Sequence, residues 1–161
     1  MCSCDDLNRR RFLGLVPGLA VTVALSGCFE AETGPGKVRW GKEYCAYCGM
    51  MIDDPRYAAQ VRAPDGKLAK FDDLGDGVLW LAKQTFADDP KTEFWVGDVE
   101  KGVWIDGRTA WYLSGKKSPM AHNYGAVPDQ RDGAISFADL RKTILERGST
   151  SRCETPTQGS T

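Results

Sequence analysis

Arg9-Arg10-Arg11-Phe12-Leu13 runs a basic cluster straight into an apolar stretch that ends at Leu25-Ser26-Gly27-Cys28. The order is basic, apolar, small residues, then Cys. It reads as an export address, and it fixes how much chain is left to fold. The arginines resemble a twin-arginine signal, with Asn8 where Ser or Thr is usual. The apolar run over 12–25 is broken by Pro17 and Gly18 and is too short for a comfortable membrane span. Residues 25–28 resemble a bacterial lipobox, in which the Cys becomes the new N-terminus and carries lipid. We therefore expect a signal peptide over 1–27 that removes Cys2 and Cys4, with Cys28 as the lipid attachment point. The mature protein is expected on a membrane, facing the periplasm or the cell exterior.

Of the 161 residues, 134 remain after residue 27, enough for one domain with a real core. Residues 1–27 hold three Arg and two Asp, so the rest carries 18 basic and 20 acidic side chains, a net charge of −2. That balance argues against a nucleic-acid partner. After Cys28 no stretch is long and apolar enough to cross a bilayer.

Gly34-Pro35-Gly36 marks residues 28–37 as a tether, and the folded domain is expected over 38–148. Residues 57–62 and 67–71 read as strands joined by the turn Pro64-Asp65-Gly66. Asp72 or Asp73 can cap a helix over 74–86, with Val78, Leu79, Leu81, Ala82 and Phe86 on its apolar face. Gly75 and Gly77 weaken its first turn. Strands are expected over 93–99, 103–106 and 109–113, and a long loop over 114–132. Ser136 with Asp139 opens a final helix that Gly148 stops, with Phe137, Leu140, Ile144 and Leu145 as its buried stripe. Trp80, Trp95, Trp104 and Trp111 read as core and platform residues. The tail 149–161 is polar and expected to be disordered, which makes its Cys153 incidental. The fold class is α+β, in one small domain.

Cys45-Ala46-Tyr47-Cys48-Gly49-Met50-Met51 places two thiols and two thioethers within seven positions. Soft donors so close together select Cu(I) over hard cations. The plainer reading makes Met50 and Met51 core fillers beside a structural Cys pair. Haem attachment needs His after the second Cys, and Gly49 stands there. A structural zinc site needs about four N/S ligands, and only His122 and the tail Cys153 are left to complete one. A thioredoxin-type pair should open a helix, which Gly49 and Asp53-Asp54-Pro55 do not suggest. Pro119-Met120-Ala121-His122 offers a thioether and an imidazole two residues apart. Their plainer readings are a loop anchor for Met120 and a surface side chain for His122, the only His. Asp72 and Asp73 read as helix caps rather than an acid/base pair, and a single His leaves general-base schemes thin.

Four features together resemble the NosL family, the nitrous oxide reductase accessory lipoproteins. They are the lipobox at Cys28, Tyr47-Cys48-Gly49-Met50 followed by an apolar residue, Phe71-Asp72-Asp73 ahead of the first helix, and Ser118-Pro119-Met120 in the loop. The match spans about 42–147 and lies in the order and spacing of short motifs. The resemblance implies two ββαβ-like units and a Cu(I) chaperone that delivers copper for nitrous oxide reductase through a membrane maturation complex. It implies Cys48, Met50 and Met120 as core ligands, with Cys45, His122 and Met51 as further donors. On this reading the protein is not an enzyme. The rival from another class is a membrane-anchored thiol–disulfide oxidoreductase that keeps copper-site cysteines reduced. It needs both Cys reactive and neither Met. A third reading is a lipid-anchored structural protein with a stray disulfide.

Overall fold

A computed structural model describes residues 32–148. The signal, the lipobox with Cys28, and the tail with Cys153 lie outside the described residues. Among the described residues no helix is long and apolar enough to cross a membrane.

The domain is α+β, with two antiparallel sheets and two helices. Strands β1 (Ala59–Arg62) and β2 (Leu68–Phe71) form the expected hairpin, paired Ala59 to Phe71 and Arg62 to Leu68. Gly66 takes φ +85° at its turn, a conformation open to Gly at little steric cost. Helix α1 (Leu74–Ala82) follows, then β3 (Glu93–Gly97) and β4 (Trp104–Asp106), which complete a four-stranded sheet in the order β2-β1-β3-β4. Strands β5 (Trp111–Ser114), β6 (Tyr124–Val127) and β7 (Ala134–Ile135) make the second sheet, ordered β6-β5-β7. Helix α2 (Phe137–Arg147) closes the chain. Helix α1 packs on β1, β2, β6 and α2, and so ties the two sheets together. Val61, Phe71, Leu74, Val78, Phe94, Val96, Tyr112, Leu140 and Ile144 are the apolar centre, each almost fully buried.

Four expectations are corrected. Helix α1 stops at Ala82 rather than residue 86. Lys83 and Gln84 donate to carbonyls three residues back, Thr92 Oγ1 binds the Phe86 carbonyl, and Arg108 Nη2 binds that of Ala87. These donors hold the segment as turns, while Phe86 still reaches the Trp80 ring. The span 114–132 is not all loop, because β6 lies inside it. All four β6 residues are buried, so the two-residue alternation that marks a half-buried strand is missing. Leu145 is exposed, and Leu140 and Ile144 alone form the fully buried stripe of α2. Residues 34–36 are fastened to β1 instead of forming free tether. Gln60 exchanges hydrogen bonds with the Gly36 backbone, and Arg62 Nε donates to the Gly34 carbonyl. The buried Gln60 and Arg62 side chains need those partners.

Strand β3 ends because Asp98 builds a turn of its own. Its Oδ1 accepts from the Glu100 amide and its carbonyl from Gly102. Trp80, Trp95, Trp104 and Trp111 are half-buried, Trp80 against Phe71 and Trp104 stacked on the exposed Trp40.

The Tyr112 hydroxyl, wholly buried, donates to the Gly107 carbonyl. Tyr112→Phe strands that carbonyl and should cost about 1–2 kcal/mol. A urea melt checks this, with a lower midpoint expected at unchanged slope. An unchanged midpoint would mean that water replaces the hydroxyl.

Candidate metal centre

Three segments build the site. The first is a tight turn over 44–51, closed by an antiparallel bridge between Tyr44 and Met51 and by the Cys45 amide on the Met50 carbonyl at 2.7 Å. Gly49 sits at φ +76° and donates to the Cys45 carbonyl. This geometry turns backbone N–H groups onto the sulfurs: Cys48 N lies 3.5 Å from Cys45 Sγ, and Met50 N lies 3.5 Å from Cys48 Sγ. The turn is not helical, and the Ala46 amide pins it to the Lys70 carbonyl of β2. Both thiols are buried and neither is in a disulfide.

The second segment is the start of α1. Asp73 is the N-cap, its Oδ1 accepting from the Gly75 amide at 2.9 Å. Asp72 precedes the cap, and Asp76 lies in the first turn, where the helix dipole favours negative charge. Asp72 is thus not a cap. Its carboxylate faces Cys48 Sγ at 3.3 Å, while Asp76 faces Cys45 Sγ at 3.6 Å.

The third segment is the loop over 118–123. Asp73 Oδ2 accepts from Ser118 Oγ at 2.6 Å and from the Met120 amide at 3.0 Å. Ala121 and Asn123 both adopt positive φ, near +60°, which is uncommon for residues with a side chain. Between them His122 turns inward and is fully buried, with Nε2 3.0 Å from Asp76 Oδ1. Nδ1 has no hydrogen-bond partner among the described residues. The ring packs on α1, where a Cβ on Gly75 would sit 2.2 Å from its Cγ.

One donor atom from each of Cys45, Cys48, Asp72 and Asp76 falls within 4.8 Å of the others. The structure therefore joins the two predicted cysteines to two carboxylates that sequence reasoning did not count as ligands. His122 reaches this group through Asp76 and is not the surface side chain of the plainer reading. Met50 and Met51 are about half exposed beside the thiols, so they are not core fillers. Met120 is partly buried against the core, and its backbone is docked on the same Asp73. The carboxylates had one sequence signal. Asp72, Asp73 and Asp76 are three acids around one helix start, and only Asp73 caps it.

Burial pushes the Cys45 thiol up to about 11, with the Cys48 amide pulling the other way. Burial also raises Cys48. Asp72 is raised by burial first and then by the neighbouring Asp76 charge, and Asp73 by burial. With no cation present both cysteines are thiols that point at carboxylates. No family model matches the chain, and no curated protein matches it.

Two predictions test this geometry. A thiol held near 11 against an ordinary 9 binds its proton more tightly when folded. Its contribution to stability is complete below pH 9 and lost as pH rises through 11. Metal-free protein should therefore lose stability over that window, and alkylation of Cys45 should be slow at pH 8 and speed up towards pH 11. Rapid alkylation at pH 7 would contradict the buried thiols. Gly75→Ala should destabilise by about 1–3 kcal/mol, because the methyl meets the His122 ring. Helix propensity alone predicts a gain of about 1 kcal/mol, so a stabilised variant in a thermal melt would refute the close packing.

Proposed function

We propose that this chain is an exported, lipid-anchored Cu(I) chaperone of the NosL type. Its cargo is copper for the centres of nitrous oxide reductase, handed on through a membrane-associated maturation complex, and Cys28 is its lipid attachment. One observation carries the reading: two buried, unoxidised thiols lie at the root of a turn whose outer residues are the exposed Met50 and Met51. Thiolates provide affinity for Cu(I), and neutral thioethers exchange readily. A soft pair within and soft donors at the rim suit an ion that must be held and then passed on. Met120 and His122 belong to the loop that Asp73 draws to the same helix start, so they are the further donors of this proposal.

The redox rival fits less well. A disulfide exchanger needs a thiolate of low pKa, commonly at a helix N-terminus. Here the pair lies in a non-helical turn and burial raises both thiols. The proposed paired ββαβ architecture draws on the run β1-β2-α1-β3. In the second half, β5-β6-β7-α2, the helix follows the third strand, and we read that half as a modified repeat.

The test is anaerobic competition for Cu(I) against a colorimetric chelator, using the reduced full chain. We expect one-to-one binding, weakened about 100-fold or more in Cys48→Ser and about tenfold in Met120→Leu. Failure of the reduced wild type to compete would sink the chaperone reading and return Cys45 and Cys48 to structural or redox duty.

A further inference from the structure

We propose that Cys45, Cys48, Asp72 and Asp76 form a four-donor seat for a divalent cation of the Zn2+ class, with His122 positioning Asp76. The inference builds on the metal-handling reading above and assigns the same thiols a second, chemically different ion. Carboxylate oxygens are not the donors Cu(I) selects, whereas Zn2+ takes thiolate and carboxylate together.

Distances support it first. With Zn–S near 2.3 Å and Zn–O near 2.1 Å, the S···O edge of a tetrahedron is about 3.6 Å. The two S···O separations here are 3.3 and 3.6 Å, and all four donors fit within 4.8 Å. Closing such a site on an ion needs little movement.

Charge is the second, independent support. Asp72 and Asp76 are 3% and 0% exposed. Among the described residues neither has a Lys or Arg ion-pair partner, although Glu43, Asp54, Asp65, Asp88, Glu93 and Glu100 all do. Asp76 has only the His122 ring beside it, and a second neighbouring buried acid with no base at all is costly unless a cation is brought to it. A divalent ion offsets two thiolates and two carboxylates better than a monovalent one.

The surroundings hold the donors in place. The His122 ring nitrogen lies in hydrogen-bond contact with Asp76, amide N–H groups point at both sulfurs, and Asp73 locks the helix start beside both acids. Ligating carboxylates are commonly held by hydrogen bonds of this kind. A Zn2+ ion bound there keeps both thiolates coordinated and out of a disulfide in an oxidising compartment. Cu(I), with the stronger preference for thiolate sulfur, would then displace it by taking thioether donors in place of the carboxylates.

The test titrates Co2+ and then Zn2+ into the reduced full chain. Co2+ should give tetrahedral d–d bands and a thiolate charge-transfer band at one equivalent, and Zn2+ should abolish both. Asp76→Asn and Asp72→Asn should each weaken Zn2+ binding about 100-fold, a larger loss than either causes in the Cu(I) competition. Cys48→Ser should lose both ions. An octahedral Co2+ spectrum without a thiolate band would overturn the proposal, and this wild-type spectrum decides the matter even if a variant fails to fold. Unchanged Zn2+ affinity in both Asp variants would also overturn it. Loss of Cu(I) binding with the Zn2+ seat intact would instead overturn the copper reading and leave this one standing.

Discussion

The Asp73 carboxylate is the joint on which the rest of the site hangs. One oxygen caps α1, and the other takes the Ser118 hydroxyl and the Met120 amide from a loop 45 residues away in sequence. Those three bonds fix the start of the helix and bring the 118–123 loop onto it. Everything else follows from that fixing. Asp72 and Asp76 flank the cap and are presented to the Cys turn, and His122 is threaded behind Asp76. Burying a carboxylate so fully costs free energy unless its lone pairs are filled. Three donors fill them, even though burial still raises its proton affinity. Asp73 is therefore a structural acid whose neighbours on either side are free to do chemistry.

The local backbone is arranged around that joint at the expense of ordinary propensity. Gly75 in the first turn of α1 is a poor helix residue, but a side chain there would occupy the space of the His122 ring. Ala121 and Asn123 both take positive φ to turn His122 inward. Gly49 turns the Cys loop so that amides face sulfur. Each departure is small, of order 1 kcal/mol. All fall on segments that contact the four-donor cluster, where strain bought for geometry is expected to gather.

Much of the frame was legible from local chemistry. The Pro64-Asp65-Gly66 turn set the first hairpin, Asp73 the start of α1, and Ser136 and Gly148 the two ends of α2, because each of these signals acts within a few residues. The failures share a physical cause, which is that tertiary partners decide them. Strand β6 is buried on both faces, so no alternation betrays it. The early end of α1 depends on Thr92 and Arg108, which come from later segments. The site was half legible. Cys45 and Cys48 announce themselves by spacing and softness. Asp72 looks like a helix cap and Asp76 like an ordinary first-turn acid, and counting only nitrogen and sulfur donors hid them.

Burial sorts the donors by kind. The sulfurs of Cys45 and Cys48 and the oxygens of Asp72 and Asp76 are all enclosed, and the thioethers of Met50 and Met51 lie outside. An ion seated among the enclosed donors would have no open face for a partner protein to reach. It could leave only by shedding the carboxylates and moving towards the rim, along the 44–51 turn. That turn is pinned by the Ala46 amide on β2 and by Lys83 on the Tyr47 ring and hydroxyl, and Ile52 just beyond it is wholly buried. The acids are held by the helix start, the loop and His122. Both sides of the cluster are thus anchored, and Met50 and Met51 are the soft donors already at the surface.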